Sequence, residues 1–104
     1  MAAKVPIFGV AAGAVATLVL APMALAYTGQ ALETNAKVTM AQAREIALRA
    51  RPGTITDEEL EKEKGGSGLR YSFDIKDASG TWEVGVDAMT GRVLENSKEG
   101  AHPD

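Results

Sequence analysis

Two stretches of strict alternation constrain this chain more than anything else in it. In LRYSFDIKD, Leu69, Tyr71, Phe73 and Ile75 fall on one parity, and Arg70, Ser72, Asp74 and Lys76 on the other. In TWEVGVD, Trp82, Val84 and Val86 repeat the apolar parity. A side-chain period of two belongs to a half-buried strand, so the chain must build a sheet with one apolar and one polar face. The connection sets the register. If Asp77-Ala78-Ser79-Gly80 is a four-residue loop, Ile75 lies across from Trp82, Phe73 from Val84 and Tyr71 from Val86, all on one face. A three-residue loop would turn one strand's apolar side chains the wrong way, so the longer loop is expected.

The same reasoning extends through VDAMTGRVLE. Ala88-Met89-Thr90-Gly91 is expected to be a second loop of equal length, with Asp87 accepting the first free N–H groups and Gly91 supplying a positive φ. Val93 then pairs with Val86 on the buried face, and Arg92 faces Asp87. Gly85 lies opposite Leu94 on the outer face, its missing side chain leaving room for the leucine. Asp87, Thr90 and Gly91 therefore read as a structural corner and not as a ligand site.

One face of such a sheet needs a cover, and VTMAQAREIALRARPG supplies it. Thr39 with Gln42 has capping-box spacing, Ala43, Ile46, Ala47 and Ala50 form a helical stripe, and Pro52-Gly53 ends it. The other face, with Arg70, Ser72, Asp74, Lys76, Thr81 and Glu83, stays open, as do the sheet edges, which attract extended peptides. Arg70, Asp74, Lys76 and Glu83 are the candidate partner-binding residues. The stretch TITDEELEKEKGGSG is ambiguous. Thr56 with Glu59 repeats the capping box and strong helix formers follow, whereas Ile55 and Leu60 lie on opposite parities, which argues against a strand. Gly65-Gly66-Ser67-Gly68 reads as a loop within one domain.

At 104 residues the chain has room for one small domain. Lys4, the apolar run from Val5 to Ala26 and the ending Ala24-Leu25-Ala26 have the form of a secretory signal, cleaved before Tyr27. An uncleaved membrane anchor is the alternative, since about 20 apolar residues span a bilayer. The expected layout is a signal over 1–26, a flexible tether over 27–37, a folded domain over 38–97 and a disordered tail over 98–104. Export expects a periplasmic or secreted location. With no cysteine, burial alone must hold the fold. Fourteen acidic against 11 basic side chains argue against nucleic acid as partner, and membrane contact is expected only if residues 1–26 are retained.

The chemistry-bearing residues are few. Asp74, Asp77, Ser79 and Gly80 only superficially resemble a calcium loop, because the acidic spacing is wrong and Trp82 falls where a ligand belongs. Zinc has only His102, in the expected tail. No base is placed to activate Ser67, Ser72, Ser79 or Ser97, and the run from Asp57 to Glu63 reads as a solvated surface. No enzyme activity, no metal and no cofactor are expected. Trp82 and Tyr71 fit a core better than a binding platform.

Three segments, VTMAQAREIALRARPGTI, YSFDI and WEVGVDAMTGRVLE, together resemble the PepSY domain. The likeness spans about Val38 to Glu95, and the corner D-A-x-T-G-x-V is its most specific part. The resemblance implies an α+β fold, one helix packed on one face of an antiparallel sheet of three to four strands, with the segment after Pro52-Gly53 a strand rather than a helix. It further implies a non-catalytic module that binds or restrains a peptidase or another envelope protein. No catalytic residues carry over, and Asp87, Thr90 and Gly91 match as structural positions. As the 104 residues hold no peptidase domain, a protein partner in trans is expected, the leading candidate a peptidase. The alternative is a structural or sensory envelope protein held at the membrane by Val5 to Ala26.

Overall fold

The computed structural model describes residues 26–100. The signal or anchor expected over 1–26 and most of the tail therefore lie outside the described residues, save Ala26 and the stretch up to Gly100. The elements run as a 3-10 helix (Gln30–Asn35), α1 (Met40–Ala50), β1 (Thr54–Lys62), β2 (Leu69–Asp77), β3 (Gly80–Asp87) and β4 (Val93–Lys98). All strand pairs are antiparallel in the order β1-β2-β3-β4, and α1 packs on one face against β2, β3 and β4. This is the α+β arrangement expected.

The central hairpin has the expected register, with Ile75 across from Trp82, Phe73 from Val84 and Tyr71 from Val86. Asp77 and Gly80 pair as well, so only Ala78 and Ser79 form the tip. Val84, Val86, Ile75, Phe73 and Tyr71 are buried together with Leu60 of β1 and Ala43 and Ala47 of α1. Each large apolar side chain removed from water contributes about 1.5–3 kcal/mol, and this is the main source of stability in a chain without cross-links. The alanine stripe lets α1 lie close to the sheet. Its first turn carries the complete capping box: Gln42 N–H donates to Thr39 Oγ1 at 3.0 Å, and Thr39 N–H to Gln42 Oε1 at 2.9 Å.

Trp82 is only half-buried. It sits beside the hairpin turn, where the Arg51 guanidinium lies 3.4 Å from its ring centroid and its indole N–H donates to Ser79 Oγ. The last residue of the helix region thus seals the core's rim by a cation–π contact.

β1 is a strand, and a bulge explains why its alternation fails. The register shifts between Ile55 and Asp57, leaving Thr56 as the extra residue. Ile55 then sits across from Ile75 and Leu60 across from Tyr71, both on the inner face despite their opposite parities. The capping-box potential of Thr56 is unused, and its hydroxyl donates to the Asp74 carbonyl instead. Long-range pairing with β2 along the whole strand overrides the local helical preference.

A second bulge falls between Gly85 and Val86 and corrects the expected pairing of Gly85 with Leu94. Val93 does pair with Val86, but Gly85 pairs with Glu95, and Leu94 is the extra residue. The room left at Gly85 serves Arg70, whose Nη1 lies 3.2 Å from where a Cβ would be. Val93, expected to be buried, is 38% exposed at the sheet margin.

The segment expected to be a flexible tether is built into the fold. Tyr27, Leu32 and Ala36 pack against the core, Thr28 forms a parallel bridge with Glu59, and the Tyr27 hydroxyl donates to Glu33. Its apolar residues have no helical or strand period because they pack from a 3-10 turn and an irregular lead, which sequence periodicity does not register.

Candidate functional site

Three places gather polar groups. The first is the corner at Asp87, which is 1% exposed. Its Oδ1 accepts the Met89 N–H at 2.8 Å, the Thr90 N–H at 3.1 Å and the Ser67 hydroxyl at 2.8 Å, and its Oδ2 accepts the Ser67 N–H at 2.6 Å. Burial works to raise its pKa, but the donors from Ser67, Met89 and Thr90 outweigh it and hold the carboxyl near 2. Held this low, the carboxyl is ionised near neutral pH and accepts all four bonds, the arrangement of a clasp. Gly91 closes the loop at φ 80, donating its N–H to the Asp87 carbonyl at 2.9 Å. Thr90 Oγ1 accepts the Arg92 N–H. The Ala88 carbonyl accepts the N–H groups of both Lys37 and Val38, which lead into α1.

The second place is the outer sheet face. Of the four candidate partner-binding residues, Arg70 is not free surface. It is 7% exposed, with Nη1 on Glu95 at 3.3 Å and Nη2 on the Lys64 carbonyl at 3.1 Å. Asp74 and Glu83 are paired across the hairpin and half-buried, and Lys76 is exposed toward the hairpin end. The structure adds Asp57, across from Asp74, and Glu99, neither of which sequence reasoning placed here. The signal for Asp57 was hidden by the bulge at Thr56. Asp74, Glu83 and Glu99 each bring a carboxylate oxygen within 4.8 Å of the others. Burial, a hydrogen bond with Glu99 and repulsion from Glu99, Asp57 and Glu59 push Asp74 up to about 6. Burial and repulsion from Glu95, Asp74, Glu99 and Glu61 push Glu83 up to about 7. Calcium takes six to eight oxygen ligands, carboxylates, carbonyls and waters among them, and these three carboxylates are the acidic part of such a set.

The third place is the groove beside β1, of about 730 Å3, lined by Tyr27, Thr28, Arg44, Ile55, Asp57 and Glu58 among others. Arg44 forks onto Glu58 there, with Nε on Oε1 at 2.9 Å and Nη2 on Oε2 at 2.7 Å. Burial holds the Tyr27 phenol well above its usual range, helped by its bond to Glu33. Reading 27–37 as a tether hid this groove, since one wall is made by Tyr27 and Thr28. Of the two aromatic residues weighed as a platform, Tyr71 is core, its hydroxyl donating to the Val38 carbonyl at 2.6 Å, and Trp82 lies under Arg51.

The helix on one face, the order of four antiparallel strands and the clasped D-A-x-T-G corner all agree with a family comparison. The profile of PepSY, the peptidase propeptide and YPEB domain, matches residues 37–96, more than half of the chain. The chain belongs to the PepSY family. The match takes in α1, all four strands up to Asn96 and the Asp87 corner. Neither a comparison with curated proteins nor one with solved structures returns a match. PepSY domains are generally non-catalytic propeptide or binding modules and typically extracytoplasmic, which makes this chain a peptidase-related module. Among the described residues no helix is long and apolar enough to cross a membrane.

Proposed function

We propose that this PepSY chain is an exported, non-catalytic module that binds an extracytoplasmic peptidase in trans and modulates its activity. Family membership carries the reading, because it links the fold to peptidase propeptides. The fold is consistent with it: α1 covers one face of the sheet, and the other face and the β1 groove present polar and main-chain groups outward. The serine hydroxyls bear on the same point. Ser67 donates to a carboxylate of low basicity, and Ser72 donates to Glu61 on the sheet surface. Export rests on Lys4, the apolar run that follows and Ala24-Leu25-Ala26.

The test is co-isolation of the tagged protein from an envelope extract, followed by a peptidase assay of what is retained. A bound peptidase whose rate changes when the module is added is the expected result. Absence of any peptidase, or an unaltered rate, removes the reading.

A structural or sensory envelope protein held by an uncleaved Val5–Ala26 is the second reading, favoured by the length of that apolar run. Mass spectrometry of the native N-terminus separates the two. A chain beginning at Tyr27 is expected, and a chain beginning at Met1 or Ala2 favours the anchor.

A further inference from the structure

The residues that follow Ala26 are built into the fold from the first of them. The Tyr27 side chain packs against the core and its hydroxyl donates to Glu33. The Tyr27 carbonyl accepts the Gln30 N–H at 3.1 Å, and the Thr28 carbonyl accepts the Leu60 N–H of β1 at 2.9 Å. Thr28 also forms a parallel bridge with Glu59. At Gly29 the chain turns with φ 86, and a Cβ there would strike the Leu60 carbonyl. The 3-10 helix begins at the next residue, and Leu32 and Ala36 continue the packing. Residues 27–36 thus form a strap laid on β1 and the core.

The bond between Ala26 and Tyr27 is the one that removal of residues 1–26 would cut. An endopeptidase acts on a chain that is extended and free on both sides of that bond, the state of flexible segments. The docked strap does not offer this state on its downstream side. Tyr27 is pinned by its side chain, Thr28 is already paired to β1, and the chain leaves its extended course at Gly29. Ala26 itself is exposed, so conformation and not burial protects the bond. Cutting then follows the population of the open form.

We infer that docking of the strap and removal of residues 1–26 exclude one another. The Ala26–Tyr27 bond is cut only while the strap is off β1, and a chain that docks first keeps its apolar run. This rests on the reading of Lys4 to Ala26 as a signal and adds an order of events to it. One sequence then gives two products. Cutting before docking releases a module whose strap closes afterwards, whereas docking before cutting leaves the same domain tethered. The free and the anchored forms become two outcomes of one race, set by how fast residues 27–36 find β1.

The experiment uses the full chain of 104 residues in detergent micelles, purified signal peptidase and mass spectrometry of the products. A synthetic peptide of residues 10–32, which has no β1 to dock on, sets the rate for the undocked segment. The folded chain is expected to be cut between Ala26 and Tyr27 about tenfold more slowly than the peptide, or slower still. Gly29→Val, whose side chain meets the Leu60 carbonyl, should lift the strap and bring the rate close to that of the peptide. Leu32→Ser loosens the strap away from the cut bond and should give an intermediate rate. Protection of the β2 and β3 amides from hydrogen exchange shows which variant keeps its sheet, and the comparison is read on that variant.

Equal rates for the folded chain and the peptide overturn the inference and leave the signal reading standing. Variants with an intact sheet that are cut no faster than the parent overturn it as well. A peptide left uncut between Ala26 and Tyr27 removes the signal reading, and the inference falls with it. Fast cutting of the peptide beside a protected folded chain supports both, whether or not a peptidase co-isolates with the module.

Discussion

Two of the three hairpin corners, at Asp77 and at Asp87, use the same chemistry to different effect. At Asp77 the carboxylate accepts the N–H and hydroxyl of Ser79, two residues on, and the turn stands in solvent. At Asp87 the carboxylate accepts from its own loop and also from Ser67, 20 residues earlier, and is enclosed. One corner reverses a strand and reaches beyond its hairpin only through a 3.7 Å ion pair between Asp77 and Arg51. The other joins the β1–β2 loop, the β3–β4 loop and, through the Ala88 carbonyl, the lead into α1. A turn that opens on aspartate and closes on glycine therefore says little about its weight in the fold until its surroundings are known.

The largest test of that difference is Asp87→Ala. It removes a buried acceptor that holds four donors from Ser67, Met89 and Thr90, and a loss of about 3 kcal/mol or more is expected in denaturant unfolding, since each hydrogen bond to a charged group contributes about 1.5–3 kcal/mol. A loss below about 1 kcal/mol would place the two corners on the same footing.

Gly91→Val comes next. The residue must hold φ 80, and its Cβ would lie 3.3 Å from Ile46 Cδ1 in α1. About 1–2 kcal/mol of destabilisation is expected from strain at a β-branched residue, read as a lower melting temperature. An unchanged melting temperature refutes the turn geometry.

Titration sharpens the comparison further. Asp87 is held at about 2, below its ordinary value of 3.8, so its contribution is full above 3.8 and is lost as pH falls toward 2. Asp87→Asn should flatten that acid limb relative to the parent. The outer face has the opposite sign. Asp74 and Glu83 are raised to about 6 and about 7, so the folded state binds more protons than the unfolded one. Their favourable contribution is complete below about pH 4 and disappears as pH rises through 6 and 7. Stability at low salt should therefore decline between about pH 4 and about pH 7, and Glu83→Gln should reduce the decline. A flat profile over that range would show that the carboxylates do not repel one another appreciably.

The smallest effect is expected at Asp77→Ala. Exposed turns with two local bonds and one loose ion pair contribute little, and a melting temperature close to the parent's is expected. A loss matching that of Asp87→Ala would erase the contrast.

The central hairpin was legible because two strands of unbroken parity leave one register that buries every apolar side chain. The helix was legible from Thr39, Gln42 and its alanine stripe. The outer strands were not, and for one reason in both cases: a bulge at Thr56 and another at Leu94 each shift parity by one residue, so alternation cannot be carried through them. At β1 the family resemblance supplied the strand that periodicity denied. At β4 the unbroken count misplaced Leu94 and kept Val93 inside. The same shifts concealed the acidic row, because Asp57 joins Asp74 only after the bulge. Arg70 was read as open surface since alternation reports a face and not what covers it. Its long side chain lies along the sheet, over Gly85.

The doubly used carbonyl of Ala88 has a mechanical implication. A single oxygen ties the lead into the rod to the last bend of the ribbon, so a swing of either breaks two bonds at once. Whatever docks on this molecule meets a body that moves as one piece, and any adjustment on contact must come from the free margins rather than from the rod lifting off.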